Sequence, residues 1–256
     1  MTLTLDRITK TFDNGVVALE ETSLTLAPGE FVSFVGPSGC GKSTLLRIVA
    51  GLTAPSTGRI DWGAGVGQPD LAFVFQEPAL MPWATVSDNL RLPLRLAGLP
   101  AHQAQPAIAD ALRLVGLEGF PQAYPRQLSG GMKMRASIAR ALVTNPQVLL
   151  MDEPFGALDD ITRTQLNEDL LALWVEHRWT VLFVTHNIYE AVLLSGRVVV
   201  MSPRPGRITA DITIASPQPR SPSFRNSPAY PDYCQRVATA LGAAMARGES
   251  SPAHSP

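Results

Sequence analysis

The stretch Gly36-Pro37-Ser38-Gly39-Cys40-Gly41-Lys42-Ser43-Thr44 lies between apolar runs at 31–35 and 45–49, and it limits what this chain can fold into more than any other feature. It reads as strand, glycine loop, helix. The glycines let the backbone curl until successive N–H groups point inward, an arrangement suited to a phosphate. The helix beginning near Lys42 adds the positive end of its dipole. In the pattern G-x-x-x-x-G-K-[ST], Lys42 reaches the β- and γ-phosphates of a nucleotide, the Ser43 hydroxyl ligates Mg²⁺, and Thr44 hydrogen-bonds the α-phosphate. A glycine turn that binds nothing is the alternative; the complete pattern in strand-to-helix context weighs against it. Cys40 sits in this loop beside a helix N-terminus and Lys42, an environment that lowers a thiol pKa and predicts a reactive cysteine that nucleotide protects. A buried, inert thiol is the other reading.

With 256 residues and 45% hydrophobic content, the chain can bury a sizeable core as one large α/β domain with a subdomain. A net charge of -1 and the lack of a long basic run leave no electrostatic footprint for nucleic acid, so no nucleic-acid partner is expected. Two cysteines cannot make a disulfide scaffold, which fits a reducing compartment. The first residues lack the basic and apolar regions of a signal peptide, and no apolar run approaches the ~18 residues that span a bilayer. Any membrane contact is therefore expected to run through a partner.

Alternation at 3–8 and 16–26 around the turn signal Asp13-Asn14-Gly15 predicts an N-terminal antiparallel sheet. Phe12 falls on its loop side, where it either stacks on a base or packs in the core. A helix is predicted over 42–50, ending at Gly51, then a short strand at 58–61 and a buried strand at 71–75. Residues 86–117 read as an inserted helical subdomain with breaks at Pro93, Pro100 and Pro106. Leu80, Met81 and Trp83 precede it, either as core or as a partner surface. Further predictions are helices at 133–142, 165–177 and 188–194, and strands at 148–153, 180–185, 197–201 and 208–214. Nine of the 22 prolines lie in 203–256. That shift marks 216–228 as a linker, followed by a helix at 232–245 and a disordered tail at 248–256.

Candidate site residues gather at the ends of these elements. Gln76 leaves a strand and could reach a metal or a water, although such a residue is commonly a solvated loop side chain. Ser129 is a natural N-cap, and Gly130 and Gly131 allow close backbone approach, which makes a second anion-binding helix start. The run Val148-Leu149-Leu150-Met151-Asp152-Glu153 carries two acids to the carboxyl end of a buried strand, where ligands of open α/β sheets sit. Strand alternation sends the two side chains apart, Asp152 to the Mg²⁺ shell and Glu153 to an attacking water as general base. His186 ends another buried strand and is either structural or a contact to a γ-phosphate.

Phosphate loop, Gln76, Leu128-Ser129-Gly130-Gly131-Met132, Leu149-Leu150-Met151-Asp152-Glu153, Ala157-Leu158-Asp159 and His186 follow in the order and spacing of the ATP-binding subunit of an ABC transporter, which the chain resembles from residue 3 to about 214. The resemblance implies a phosphate-loop ABC ATPase fold of α/β class: a mostly parallel core sheet, an N-terminal antiparallel β subdomain, and a helical subdomain at about 86–140 within a domain of 1–215. It implies ATP and Mg²⁺ as cofactors, Lys42, Gln76, Glu153 and His186 in catalysis, and Ser43, Gln76 and Asp152 at the metal. Two copies are implied to pair head to tail, so that Ser129, Gly130 and Gly131 of one close over ATP held by residues 36–44 of the other. Phe12 then stacks on adenine and Asp159 signals across the dimer. Within the family, residues 75–78, 80–83, 88–89, 185–191 and 201–208 look like importers of the nitrate, sulfonate and taurine group. That group works at the cytoplasmic face of the membrane with integral permease subunits and, indirectly, an extracytoplasmic solute-binding protein. Met132 and Met134 depart from glutamines common in the family, and a thioether donates no hydrogen bond; Asn187 replaces a frequent Asp.

A non-transport ABC ATPase acting on DNA or ribosomes is the alternative. Residues 53–127 have neither the length nor the heptads of the coiled coil that DNA-repair members carry, and one cassette at net charge -1 opposes the ribosomal kind. The nature of the solute is not written in this chain, because specificity sits in the permease and the binding protein.

Overall fold

The structure is a computed structural model that describes residues 2–63, 69–215 and 222–249. In chain order the elements are β1 (Leu3–Thr11), β2 (Val17–Leu26), β3 (Phe31–Val35), α1 (Lys42–Val49), β4 (Thr57–Asp61), β5 (Leu71–Val74), α2 (Val86–Leu96), α3 (Ala101–Leu114), α4 (Gly130–Leu142), β6 (Val148–Asp152), α5 (Asp160–His177), β7 (Thr180–Val184), α6 (Ile188–Leu194), β8 (Arg197–Met201), β9 (Ile208–Thr213) and α7 (Ala229–Glu249). Short 3₁₀ turns form at Pro125–Gln127 and Pro222–Asn226. The chain divides into two units, Met1–Gln68 with Thr180–Pro256, and Pro69–Trp179.

In the first unit β3 runs parallel to both β7 and β8, with Phe34 opposite Val184 on one side and Val199 on the other. All five β3 residues are buried, as are all five of β7, which is why both read as mainly apolar runs, broken by Ser33 in one and opened by Thr180 in the other, rather than as alternating ones. Parallel register puts the carboxyl ends of β3 and β7 on one side, so Gly36 and His186 leave the sheet in the same direction. β9 adds antiparallel to β8, giving a mixed sheet with a parallel core. A separate antiparallel sheet has the order β2-β1-β4, its hairpin closed at Gly15, whose φ of 79° suits glycine.

Residues 216–221 of the expected linker lie outside the described residues. Its remainder is ordered: Phe224 is buried in the turn Pro222–Asn226 and meets Tyr230 edge to face at 5.5 Å. Both belong to an apolar cluster with Val35, Val192, Val198 and Val200 that α7 covers with Cys234 and Val237. The helix starts three residues before and ends four residues after the expected 232–245. Pro231 does not delay it, because the missing N–H falls in a first turn whose N–H groups have no intrahelical partner. Gly248 and Glu249, expected in a disordered tail, close this helix; 250–256 lie outside the described residues.

In the second unit β5 pairs parallel to β6, Phe73 opposite Leu150, and α4 packs against β5 and α5. β5 is shorter and less buried than expected, since Phe75 emerges exposed and rests against Phe73 at 4.3 Å. Only Pro100 acts as a break, at the N-cap of α3. Pro93 and Pro106 lie inside helices. Each removes one backbone hydrogen bond, and at Pro106 the carbonyl left over belongs to exposed His102, where water can satisfy it. The 133–142 helix begins at Gly130, and the 165–177 helix at Asp160, because Ser129 and Asp159 cap their first turns.

Arg197 ties the first unit together. Its guanidinium donates to both carboxylate oxygens of Asp211, at 2.7 and 2.6 Å, to the Thr25 carbonyl at 2.9 Å and to Glu30 at 3.1 Å. These acceptors, Asp211 foremost, hold the guanidinium pKa above its ordinary value. Charge-assisted bidentate pairs of this kind are worth about 1.5–3 kcal/mol. Arg197→Met is expected to lower the unfolding free energy by about 2 kcal/mol, seen as a lower urea midpoint at unchanged slope.

Candidate functional site

The first unit holds the phosphate loop between β3 and α1. Gly39 and Gly41 adopt φ of 75° and 99°, and Gly41 is the N-cap of α1, which has no side-chain cap and no acidic residue in its first turn. The helix thus begins on a glycine that brings no side chain to its first turn, and with no acidic residue there the positive end of its dipole is not offset by a carboxylate, the setting an anion needs. Lys42 is only 5% exposed, and its ammonium donates to the carbonyls of Gly36 at 2.7 Å and Pro37 at 3.0 Å. It lies 3.7 Å from the Cys40 sulfur.

Cys40 corrects the expectation of a reactive thiol. It is completely buried, and burial pushes its pKa up more than the nearby Lys42 charge pulls it down. Contact with a helix start lowers a thiol pKa only where the thiolate keeps some solvation, and here the side chain faces the glycine-lined interior of the loop. Phe12, in contrast, is 41% exposed, with the Lys10 ammonium 5.3 Å from its ring, so it is no core residue.

His186 is exposed just past β7. Its flanks are held firmly: buried Thr185 donates to Glu190 at 2.7 Å and accepts the Asn187 N–H at 3.0 Å. The Asn187 side chain caps α6 by accepting from the N–H groups of Tyr189 and Glu190. Asn in place of Asp thus keeps the capping function. Glu190 was not singled out from sequence, yet Asn187 followed three residues later by Glu190 is a helix-start signature that marks it.

The second unit carries the other candidates. Asp152 ends β6 buried, and Glu153 follows at φ 47°, in the left-handed region that non-glycine residues seldom occupy. The separation of the two side chains therefore does not come from strand alternation, which stops at Asp152. The left-handed turn at Glu153 redirects the chain, and the Gly156 N–H closes onto the Glu153 carbonyl at 3.1 Å.

Ser129 accepts the Met132 N–H at 3.3 Å as the cap of α4. The two glycines differ. Gly130 is exposed, whereas a Cβ on Gly131 would come within 2.5 Å of the Thr162 methyl, so Gly131 answers to packing within its own chain. Asp159 is exposed and caps α5 by accepting the Thr162 N–H at 3.0 Å, the bond that lowers its carboxyl pKa.

Gln76 is exposed at the start of a loop that two residues fix in place. Arg140 donates to the carbonyls of Ala79 at 2.7 Å and Pro78 at 3.0 Å, and Asn89, fully buried, accepts from Met81 N–H at 2.7 Å and donates to the Thr85 carbonyl at 2.9 Å. Neither role is visible in local sequence, since Asn89 reaches back across a turn and Arg140 reaches over from α4, some sixty residues on. Held this way, the loop exposes Trp83 at 77% above a cavity of about 360 Å³ lined by Met81, Ala84, Asp88, Arg91, Leu92 and Arg95. That excludes Trp83 as a core residue.

As for metal, no group of three or more His, Cys, Asp or Glu able to hold an ion occurs among the described residues. Ser43, Gln76 and Asp152 are hard oxygen donors, the type suited to Mg²⁺, an ion that keeps most of its shell as water and phosphate oxygen.

A family profile described as ABC transporter matches residues 19–156. The chain is 50% identical over 198 residues to the taurine import ATP-binding protein TauB of Rhizobium johnstonii, covering 76% of each. It is 42% identical over 243 residues to the aliphatic sulfonates import ATP-binding protein SsuB of Bacillus cereus, covering 93% of this chain and 94% of the relative. Among solved structures, the ATP-binding cassette MJ0796, a dimer in a post-hydrolysis state bound to ADP and Pi, superposes with a TM-score of 0.74 at 32% identity, covering 84% of this chain and 99% of that one. Among the described residues no helix is long and apolar enough to cross a membrane.

With Cys40 and Cys234 both buried and both pushed up in pKa by that burial, native protein at pH 7 holds little thiolate. Maleimide is expected to label neither cysteine in the time that labels both fully in urea, as read by mass spectrometry.

Proposed function

The chain belongs to the ABC transporter family of ATP-binding subunits, and from that membership we propose that it hydrolyses ATP to power import of a nitrate, sulfonate, taurine or similar small solute through a membrane permease. The observation that carries the reading is the glycine loop closed around the buried Lys42 ammonium at a helix start that has a glycine N-cap and no acidic residue in its first turn. A polyanion is the ligand whose charge such a loop can take up at both the ammonium and the N–H groups.

In this reading residues 36–44 bind the triphosphate, Lys42 at the β- and γ-phosphates, and Phe12 stacks on adenine. Exposure of Phe12 beside a cation supports that role. Ser43, Gln76 and Asp152 would hold Mg²⁺, which when bound neutralises charge between phosphate oxygens. Glu153 accepts the proton of the attacking water, and His186 contacts the γ-phosphate. Two copies pair head to tail, so that Ser129, Gly130 and Gly131 of one close over the nucleotide of the other, while Asp159 passes the state of one site to its neighbour. ATP binding closes the dimer and hydrolysis reopens it. An extracytoplasmic solute-binding protein delivers the solute, and the cassette works peripherally at the cytoplasmic membrane face. The helical subdomain spans about 86–140. The permease docks on the loop after Gln76, with Trp83 as anchor over the cavity beside Met81 and Arg91.

Glu153→Gln tests the chemistry. Nucleotide binding is expected to persist while hydrolysis falls by about 10² or more, the range of a lost general base. ATPase activity near wild type in that variant would remove Glu153 from the role. Trp83→Ala tests the docking surface. The melting temperature and basal ATPase of the isolated subunit should hold, while permease co-purification is lost, as expected where truncating an interface aromatic costs about 2 kcal/mol or more.

A further inference from the structure

The segment Met201-Ser202-Pro203-Arg204-Pro205-Gly206-Arg207 joins β8 to β9, and no step of the proposed chemistry uses it. Its position gives it one. Gly206 is buried, and the direction its side chain would take runs straight into the Cys40 carbonyl oxygen, with the Cys40 carbonyl carbon at 3.1 Å and the Met201 methyl at 3.2 Å from the same point. Its φ is not positive, so backbone conformation does not demand glycine here. Lack of space does, and the obstacle is phosphate-loop backbone rather than a side chain that could swing away.

Gly206 is also fixed from the opposite side. Its N–H donates to the Ala18 carbonyl at 3.0 Å, and its own carbonyl accepts the Glu20 N–H at 2.9 Å, a parallel bridge onto β2 around Leu19. The same stretch of β2 bears on the loop, because a Cβ on Gly41 would lie 2.7 Å from both the Ala18 carbonyl and the Leu19 side chain. Met201 closes the remaining side, its carbonyl 3.0 Å from where a Cβ of Gly36 would stand. Within the turn, Ser202 donates to the Pro205 carbonyl at 3.1 Å and accepts the Arg207 N–H at 3.1 Å, which sets how far Gly206 projects.

We infer that the β8–β9 turn is a brace that sets the curvature of the phosphate loop, with Gly206 as a positioning residue for the nucleotide phosphates. The inference rests on the reading of residues 36–44 as the triphosphate site. Gly206 touches no reacting atom. It acts through the Cys40 carbonyl, one residue before the N-cap of α1, so a displacement there moves the N–H groups that face the phosphates.

The test is equilibrium binding of trinitrophenyl-ATP with Mg²⁺, KM and kcat for MgATP, and hydrogen exchange of the full-length chain. Gly206→Ala is expected to weaken nucleotide binding about tenfold or more and to raise KM in parallel, since displacement of a positioned group by about 1 Å costs on that scale. Gly196→Ala is the control, because nothing lies within 4 Å of a Cβ at that position in the same hairpin, and it should bind as wild type. Wild-type affinity in folded Gly206→Ala overturns the inference. If Gly206→Ala does not fold, Ser202→Ala decides, because it loosens the turn without adding bulk. Faster amide exchange confined to residues 36–44, with a raised KM, supports the brace; unchanged exchange there overturns it. Lys42→Ala in the same titration separates the two levels. Full affinity in Lys42→Ala would overturn the triphosphate reading itself, whereas lost affinity there beside normal binding in Gly206→Ala would overturn the brace alone.

Discussion

One buried ammonium governs the geometry of the first unit. An unpaired charge withdrawn from water costs several kcal/mol, so Lys42 has to find oxygen, and it finds the carbonyls of Gly36 and Pro37 in its own loop. The Pro37 carbonyl turned to the lysine points the Ser38 N–H of the same peptide the other way, and glycines 39 and 41 supply the left-handed dihedrals that carry the loop on to α1. The loop is then backed by close packing, in which each near approach falls on a glycine. Leu19, Met201 and Gly206 supply that packing, and β3, buried throughout between two parallel neighbours, fixes where the loop begins.

The second unit relies on caps and clamps more than on charge burial. Ser129, Thr85 and Asp159 each end a loop by accepting an N–H of the following helix, while Asn89 and Arg140 hold the backbone after Gln76 through its carbonyls. Most of the loops that carry candidate chemistry here are thus tied to a helix start or a helix face, and the candidate side chains sit on backbone whose path is fixed by other residues.

Much of this was legible in the sequence, because the strongest signals are local. Short, mainly apolar runs became the five-residue strands β3, β6 and β7, and Gly-x-Gly before Lys42 became two positive-φ turns. What misled was reading local rules without their tertiary setting. Cys40 stands where helix dipole and lysine argue for a thiolate, but desolvation outweighs both once the side chain is enclosed. Pro93 and Pro106 argue for helix ends, but packing of α2, α3 and α4 outweighs one lost hydrogen bond each. Glu153 argues for strand alternation, yet its left-handed backbone shows that the strand has ended. Long-range partners, such as Arg140 to Pro78 and Gly206 to Cys40, leave no trace in spacing at all.

Thr162 meets two motifs at once. Its N–H is held by Asp159, and its methyl group rests where Gly131 has no side chain. The turn that follows Glu153 and the glycine turn at the head of α4 therefore meet at Thr162, and again at Leu158, whose side chain lies 3.4 Å from where a Cβ of Gly130 would stand. A tilt of α5 at its first turn presses the Thr162 methyl against the backbone of Gly131 or draws it away. Two sequence motifs some thirty residues apart along the chain are thus joined by direct packing.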